Sequence, residues 1–306
     1  METTFASWPS LEKSAKVLSS KHFSGGVSGL FYYDYSPQGQ SDKPAVILVH
    51  GLGDEADTWR HIIRPLGEAG YRVLAPDLPG FGRSAVSRRS SIGCHRDAVL
   101  TLAETVLGNP EQGCFLIGSS MGAAVTEAAA LVNDRIKALI LIDGCIPLEA
   151  SDSSQILLSA LPFYGKKWYR SYRADPERAW KSLFSYYADI EALSEEDKAF
   201  LRKRVMDRVC SSSQEQGYFS SLRSMIVQSL RTSYYRQIGN WPGKVALIWG
   251  EKDRIVPRSQ AEQFIKLRGV NATELFTIPD AGHLPHQEKP IETAEIILAF
   301  LREVEK

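Results

Sequence analysis

Gly118-Ser119-Ser120-Met121-Gly122 is the stretch on which the reading of this chain turns. It follows an apolar run, Cys114-Phe115-Leu116-Ile117, and precedes an alanine-rich run from Ala123 to Leu131. Strand, tight turn and helix in that order are the context in which G-x-S-x-G forms a nucleophile elbow. Such a turn strains the serine backbone and lifts its hydroxyl clear of the sheet, and the flanking glycines remove side chains that would clash. Ser120, in the middle of the pattern, is the candidate nucleophile. Gly-Ser-Ser clusters also mark ordinary loops. The elbow therefore stands or falls with a base, an acid and an oxyanion site supplied elsewhere in the chain.

Outward from the elbow, short β-rich runs alternate with longer helical patterns. Strands are expected at 45–49, 71–75, 114–117, 136–142, 244–249 and 274–278. Helices are expected at 57–69, 92–107, 121–132, 258–267 and 291–304. An earlier stretch, 27–35, reads as strand at an antiparallel sheet edge. Alternation of this kind predicts an α/β fold with a mainly parallel, doubly wound sheet covered on both faces. The rhythm breaks between 147 and 241, where helical patterns dominate. Asp175-Pro176-Glu177 is a helix start with an N-cap and Pro in the first turn, and Ser194-Glu195-Glu196-Asp197 opens another in the manner of a capping box. The expected organisation is a core over 1–146, a helical insertion over 147–241, and the rest of the core over 242–306. The insertion carries fifteen of the thirty Phe, Tyr and Trp residues. Most of these build a local core, and Trp168, Trp180, Tyr186 and Tyr187 are the candidates for lining a pocket above the sheet.

Composition narrows the function classes. Thirty-six basic residues balance thirty-six acidic ones across 306 residues, so no net field favours nucleic acid or an anionic membrane. The amino terminus lacks the basic leader and apolar core of a signal peptide, and no apolar run approaches the ~20 residues that span a bilayer. Four widely spaced cysteines, Cys94, Cys114, Cys145 and Cys210, form no metal-binding or disulfide pattern. The expectation is a cytoplasmic protein without metal or cofactor, acting on a small molecule.

The chemistry-bearing residues fall at strand ends. His50-Gly51-Leu52-Gly53 follows the first long strand, and a glycine-rich turn there can aim backbone N–H groups into the site. Leu52 and Met121 are the expected oxyanion donors, each worth roughly 3 kcal/mol in a transition state. His50 itself is expected to hold the turn. Asp253 lies on a loop after the strand ending at Trp249, at the carboxyl edge where ligand sites of such sheets lie. His283 follows the last strand at the same edge. Ser120, Asp253, His283 is the chain order this architecture requires: His283 takes the serine proton, and Asp253 holds the imidazole tautomer and stabilises the imidazolium. His286 is a rival for the base and Asp143, also ending a strand, for the acid. Chain position favours His283 and Asp253.

With those motifs and Asp77-Leu78-Pro79-Gly80-Phe81-Gly82-Arg83-Ser84, which shapes a turn, the chain resembles the α/β-hydrolase superfamily with a helical cap. The resemblance extends over nearly the whole length beyond the first twenty or so residues. It implies a serine hydrolase of small to medium, largely apolar carboxylic esters, working through an acyl-enzyme. Haloalkane dehalogenases and epoxide hydrolases are similar, down to a Trp59-Arg60 pair, but their nucleophile is an aspartate where this chain has Ser120. Hydrolases that cleave carbon–carbon bonds in aromatic-ring breakdown use a serine triad and a comparable cap, with a tryptophan after the histidine where this chain has Leu284. Carbon–carbon cleavage of a diketone-like substrate is the second reading, and a ligand-binding protein of the same fold the third.

Overall fold

The computed structural model describes residues 11–19, 29–36, 42–84, 90–108, 112–144, 162–268 and 273–306. Eight strands form one sheet: β1 (Ala15–Ser19), β2 (Gly29–Tyr35), β3 (Ala45–Val49), β4 (Val73–Pro76), β5 (Cys114–Ser119), β6 (Ile136–Ile142), β7 (Lys244–Gly250) and β8 (Thr273–Ile278). Their spatial order is β1-β2-β4-β3-β5-β6-β7-β8. The first two strands run antiparallel to their neighbours, and every other pairing is parallel. The elbow strand β5 sits near the middle, between β3 and β6. All five residues of β3 and all six of β5 are buried, as strands covered on both faces must be.

Helices α1 (Ile63–Glu68) and α11 (Pro290–Val304) cover one face, where Ile63, Leu66, Ile297 and Leu301 meet the sheet residues Val46, Ile117 and Ile140. Helices α2 (Ile92–Leu107), α3 (Met121–Ala130) and α9 (Ser259–Arg268) cover the other, where Val99, Leu102, Val125 and Phe264 pack on Ile47, Leu116 and Leu139. A short α10 (Pro285–Glu288) precedes α11. The expected helix at 57–69 is instead a 3-10 turn, Ala56–Trp59, followed by α1. Pro65 explains the break: in a continuous helix its ring would clash with the carbonyl four residues back, whereas in the first turn of α1 it is tolerated. The strand expected at 27–35 is β2, but β1 outside it gave no clear pattern in the sequence.

Between β6 and β7 the described chain is helical: α4 (Pro162–Ser171), α5 (Pro176–Lys181), α6 (Glu195–Cys210), α7 (Ser212–Ser229) and α8 (Thr232–Gly239). Asp175 accepts from the Arg178 N–H and Ser194 from the Asp197 N–H, so both expected N-caps form. These helices have their own core, centred on Tyr169, Trp180, Val205 and Phe219. Tyr234 and Ile238 of α8 instead join the sheet core. Cys145 lies outside the described residues. No described helix is long and apolar enough to cross a membrane.

Helix α3 crosses the end of β3 so closely that only glycine fits at the crossing. A Cβ on Gly122 would stand 2.1 Å from the Val49 carbonyl oxygen and 2.8 Å from that of His50. Gly122→Ala is expected to lower unfolding free energy by about 3 kcal/mol in urea titrations, since backbone on both sides cannot give. Gly93→Ala, where nothing lies nearer than 3.9 Å, is expected to change it by less than ~1 kcal/mol. Equal effects would contradict the close-approach explanation.

Candidate active site

Ser120 occupies the turn between β5 and α3 with φ 53° and ψ −118°, a left-handed backbone that non-glycine residues rarely adopt. Its N–H donates to the Ile142 carbonyl at 2.9 Å, which pins the turn to the end of β6. His50, fully buried at the end of β3, has the structural role expected for it. Its Nδ1 bonds the Gly51 carbonyl at 2.8 Å, and its Nε2 accepts the Leu78 N–H at 2.8 Å. Those partners require the tautomer protonated on Nδ1, and they clamp the Gly51–Gly53 turn to the loop after β4. Asp77 shapes that loop, accepting from the Ala56 N–H and pairing with Arg83.

Asp253 is oriented by its own loop. Oδ1 accepts the Ile255 and Val256 N–H groups at 2.7 and 3.1 Å, leaving Oδ2 for His283 Nδ1 at 2.9 Å. Both side chains of that pair are almost wholly buried. The His283 N–H donates to the Tyr186 carbonyl at 2.8 Å, so a residue of the helical insertion helps fix the histidine loop. The approach is tight: a Cβ on Gly282 would meet the Ala188 nitrogen at 2.6 Å. Ser120 and His283 are not hydrogen-bonded to each other in this structure, but both line one cavity; nucleophile–base hydrogen bonds often tighten only in the reacting complex.

Asp143 stands behind this pair rather than in its place. Oδ1 accepts the Gly250 N–H at 2.8 Å. Burial, and then the neighbouring Asp253 charge, push its carboxyl well above the usual range, and its Oδ2 has no hydrogen-bond partner among the described residues. Side-chain atoms of Asp143, Asp253 and His283 lie within 4.8 Å of one another. They are the described residues closest to a cation-holding group, but an ion there would compete with the His283–Asp253 hydrogen bond. His286 faces elsewhere: Nε2 meets Thr58 Oγ1 at 2.9 Å and the ring packs on Trp59.

The cavity above Ser120 measures about 380 Å³ and lies between the sheet edge and the helical insertion. Leu52, Trp168, Tyr186 and Tyr187 line it, as the sequence suggested. Trp180 does not. It is buried in the insertion's own core, edge-on to Phe184 and beneath the Arg202 guanidinium, because the inward face of α5 points at α6 rather than at the sheet. Met121 opens α3 directly after Ser120, and its side chain is buried.

Sequence reasoning missed the charges that fasten the insertion to the core. Asp197 of α6 pairs with Arg60 at 2.6 Å and with His61 at 3.0 Å. Arg204 pairs with Asp57 at 2.6 Å and also with Glu55. Arg208 donates from Nη1 to the Gly53 carbonyl at 2.6 Å. Asp197, Leu201, Arg204, Val205 and Arg208 recur at helical spacing on one face, so charges at inward positions of α6 were the available signal.

The alpha/beta hydrolase family matches this chain over residues 46–296. A 2-hydroxy-6-oxononadienedioate/2-hydroxy-6-oxononatrienedioate hydrolase of Klebsiella pneumoniae subsp. pneumoniae is 26% identical over 266 residues, spanning 85% of this chain and 87% of that protein. A membrane phospholipase A, described as a bacterial virulence factor, is 25% identical with a TM-score of 0.71, over 96% of this chain and 87% of that one. A thermophilic esterase from Thermogutta terrifontis has a TM-score of 0.75 at 22% identity, over 95% and 99% of the two chains; that likeness speaks to the fold.

Burial, with the positive charge of Arg60 next, lowers the His286 pKa to about 3. Unfolded, the same imidazole takes up its proton near pH 6.5. The unfolded state therefore binds the extra proton throughout that window, and stability falls as pH drops from 6.5 toward 3. His286→Gln is expected to flatten the slope of unfolding free energy against pH by up to about 1.4 kcal/mol per unit between pH 6 and 4. An unchanged slope in denaturant titrations would show that His286 is not buried neutral.

Proposed function

The chain belongs to the alpha/beta hydrolase family, and on that premise we propose that it hydrolyses carboxylic esters of small to medium acyl compounds through Ser120, His283 and Asp253. The observation that carries the reading is convergence. A serine held at positive φ, a histidine and its buried carboxylate partner meet at one sheet edge beside a cavity. Ser120 attacks the carbonyl carbon as His283 takes its proton, and the Leu52 and Met121 N–H groups receive the oxyanion. His283 then protonates the leaving alcohol, and water, deprotonated by the same imidazole, releases the acid. Asp253, held by two loop N–H groups, keeps the Nδ1 proton of His283 in place. The phospholipase relative favours ester chemistry.

A second reading, carbon–carbon bond hydrolysis by the same residues, is favoured by the Klebsiella relative's activity. The position after His283 is Leu284, packed against the insertion's core, rather than the tryptophan of the ring-breakdown enzymes that this chain resembles. Cys114 and Cys210 are free, which fits the reducing cytoplasm to which we assign the protein.

Kinetics on methyl and p-nitrophenyl esters, beside a meta-cleavage product followed by its visible absorbance, separate the two readings. Ester turnover is expected to dominate, and Ser120→Ala to abolish it; efficient loss of the meta-cleavage chromophore with negligible ester turnover would replace the first reading with the second. Asp253→Asn is expected to lower kcat by roughly 10³- to 10⁴-fold, because the wrong imidazole tautomer is then favoured. Asp143→Asn is expected to lower it less than about tenfold, because the amide oxygen can still accept the Gly250 N–H and the His283–Asp253 bond is untouched. The reverse ranking would make Asp143 the working acid.

A further inference from the structure

Arg208 is a cation of the cavity wall with no ion pair among the described residues. Its side chain lines the space above Ser120, and its one side-chain hydrogen bond among the described residues runs from Nη1 to the Gly53 carbonyl. That carbonyl lies one residue beyond Leu52, so the guanidinium is tied to the turn expected to hold the oxyanion. Nη1 is close enough that a Cβ on Gly53 would touch it at 3.4 Å. No carboxylate among the described residues comes within ion-pair distance of Arg208. Of the nearby acids, Glu55 and Asp57 pair with Arg204 and Asp197 with Arg60, while Asp54, which also lines the cavity, acts on Arg208 from beyond ion-pair distance.

An arginine carries five N–H donors and a permanent charge, and Nε here is buried with no acceptor. Burial works against the charge, while Tyr169, Tyr186, Tyr218 and Asp54 work for it and keep the guanidinium above its usual pKa. Removing a cation from water without a close counter-charge is expensive, and of these four groups only Asp54 is an acid, standing beyond ion-pair distance. An anion entering the cavity would supply the direct partner that the guanidinium lacks among the described residues. A carboxylate fits best, being planar and able to take two parallel N–H donors from the fork.

We propose that Arg208 forms an anion subsite beside the oxyanion turn, and that the preferred substrates are acyl compounds bearing a second, ionised carboxylate, such as half-esters of dicarboxylic acids. The substrate class rests on the hydrolase reading above; the subsite itself does not. It also revises the expectation of a largely apolar substrate, since charged as well as aromatic side chains line the cavity.

The test has a kinetic arm and a binding arm. Monomethyl esters of the C4 to C8 dicarboxylic acids are compared with methyl esters of the monocarboxylic acids of the same length, by proton release. At the best chain length the charged ester is expected to lead, and Arg208→Met to lower its kcat/KM by roughly 10- to 100-fold, mostly through KM. The ratio of charged to neutral ester kcat/KM is expected to fall by at least about tenfold whatever the variant does to the Gly53 turn, with an unchanged circular dichroism spectrum showing that the protein is folded, and Arg208→Lys to restore part of the ratio. In parallel, the free C4 to C8 dicarboxylates are titrated calorimetrically into Ser120→Ala protein, with and without Arg208→Met. Arg208-dependent binding with no turnover of any ester would sink the ester reading and keep the subsite. Turnover of both ester classes, unaltered in their ratio by Arg208→Met, would keep the ester reading and overturn the subsite. Failure of every dicarboxylate to bind, or binding indifferent to Arg208, would also overturn it.

Discussion

The close passage of α3 over the end of β3 is the constraint on which the rest of the site depends. With Gly122 almost on the Val49 carbonyl, the chain leaving β5 has too little room for a relaxed turn. Ser120 takes up the difference at positive φ, and its N–H is secured on β6. Strain of this kind persists only where the surroundings over-determine it. Here they do, because β3, β5 and β6 are adjacent, parallel and wholly buried around the turn. The same crossing sets Gly51 against Ser120, with the Gly51 Cβ position 3.2 Å from the serine Cβ. Ser120 and the Gly51–Gly53 turn are thus brought together by backbone packing.

The second ingredient is a graded set of carboxyl groups at the far end of the sheet. Asp253 is supplied with two loop N–H donors and the His283 ring. Asp143, a few ångströms away, is buried beside it, and its carboxyl is pushed well above the usual range. Two like charges in so small a volume are costly, and the hydrogen bonds divide the roles between the two acids. His283 bonds Asp253, while Asp143 accepts the Gly250 N–H behind it.

Much of this was legible in the sequence because sheet edges convert chain order into proximity. Ser120, Asp253 and His283 each follow a recognisable apolar run, and the topology carries three such run-ends to one place. Asp143 was visible as a rival by the same rule; what the sequence could not give was which of two acids would face His283, since that depends on N–H donors from separate loops. Helix faces were harder. Trp180 was selected as an aromatic on a cap helix, but a period of 3.6 residues says which residues share a face, not which neighbour that face meets. The inward charges of α6 were overlooked for the opposite reason: Asp197, Arg204 and Arg208 look like solvated surface until Arg60, Asp57 and Gly53 are brought opposite them by contacts more than a hundred residues apart in sequence. The pocket's polarity was therefore the least readable property of the chain.

The account's central claim is that Ser120 is an activated nucleophile, and covalent capture tests it most directly. Folded protein treated with a fluorophosphonate and mapped by peptide mass spectrometry should carry one adduct, on Ser120. Labelling should be slowed strongly by His283→Ala, which removes the base and leaves the elbow in place. An unlabelled Ser120 in folded protein, or labelling as fast without His283 as with it, would contradict the account.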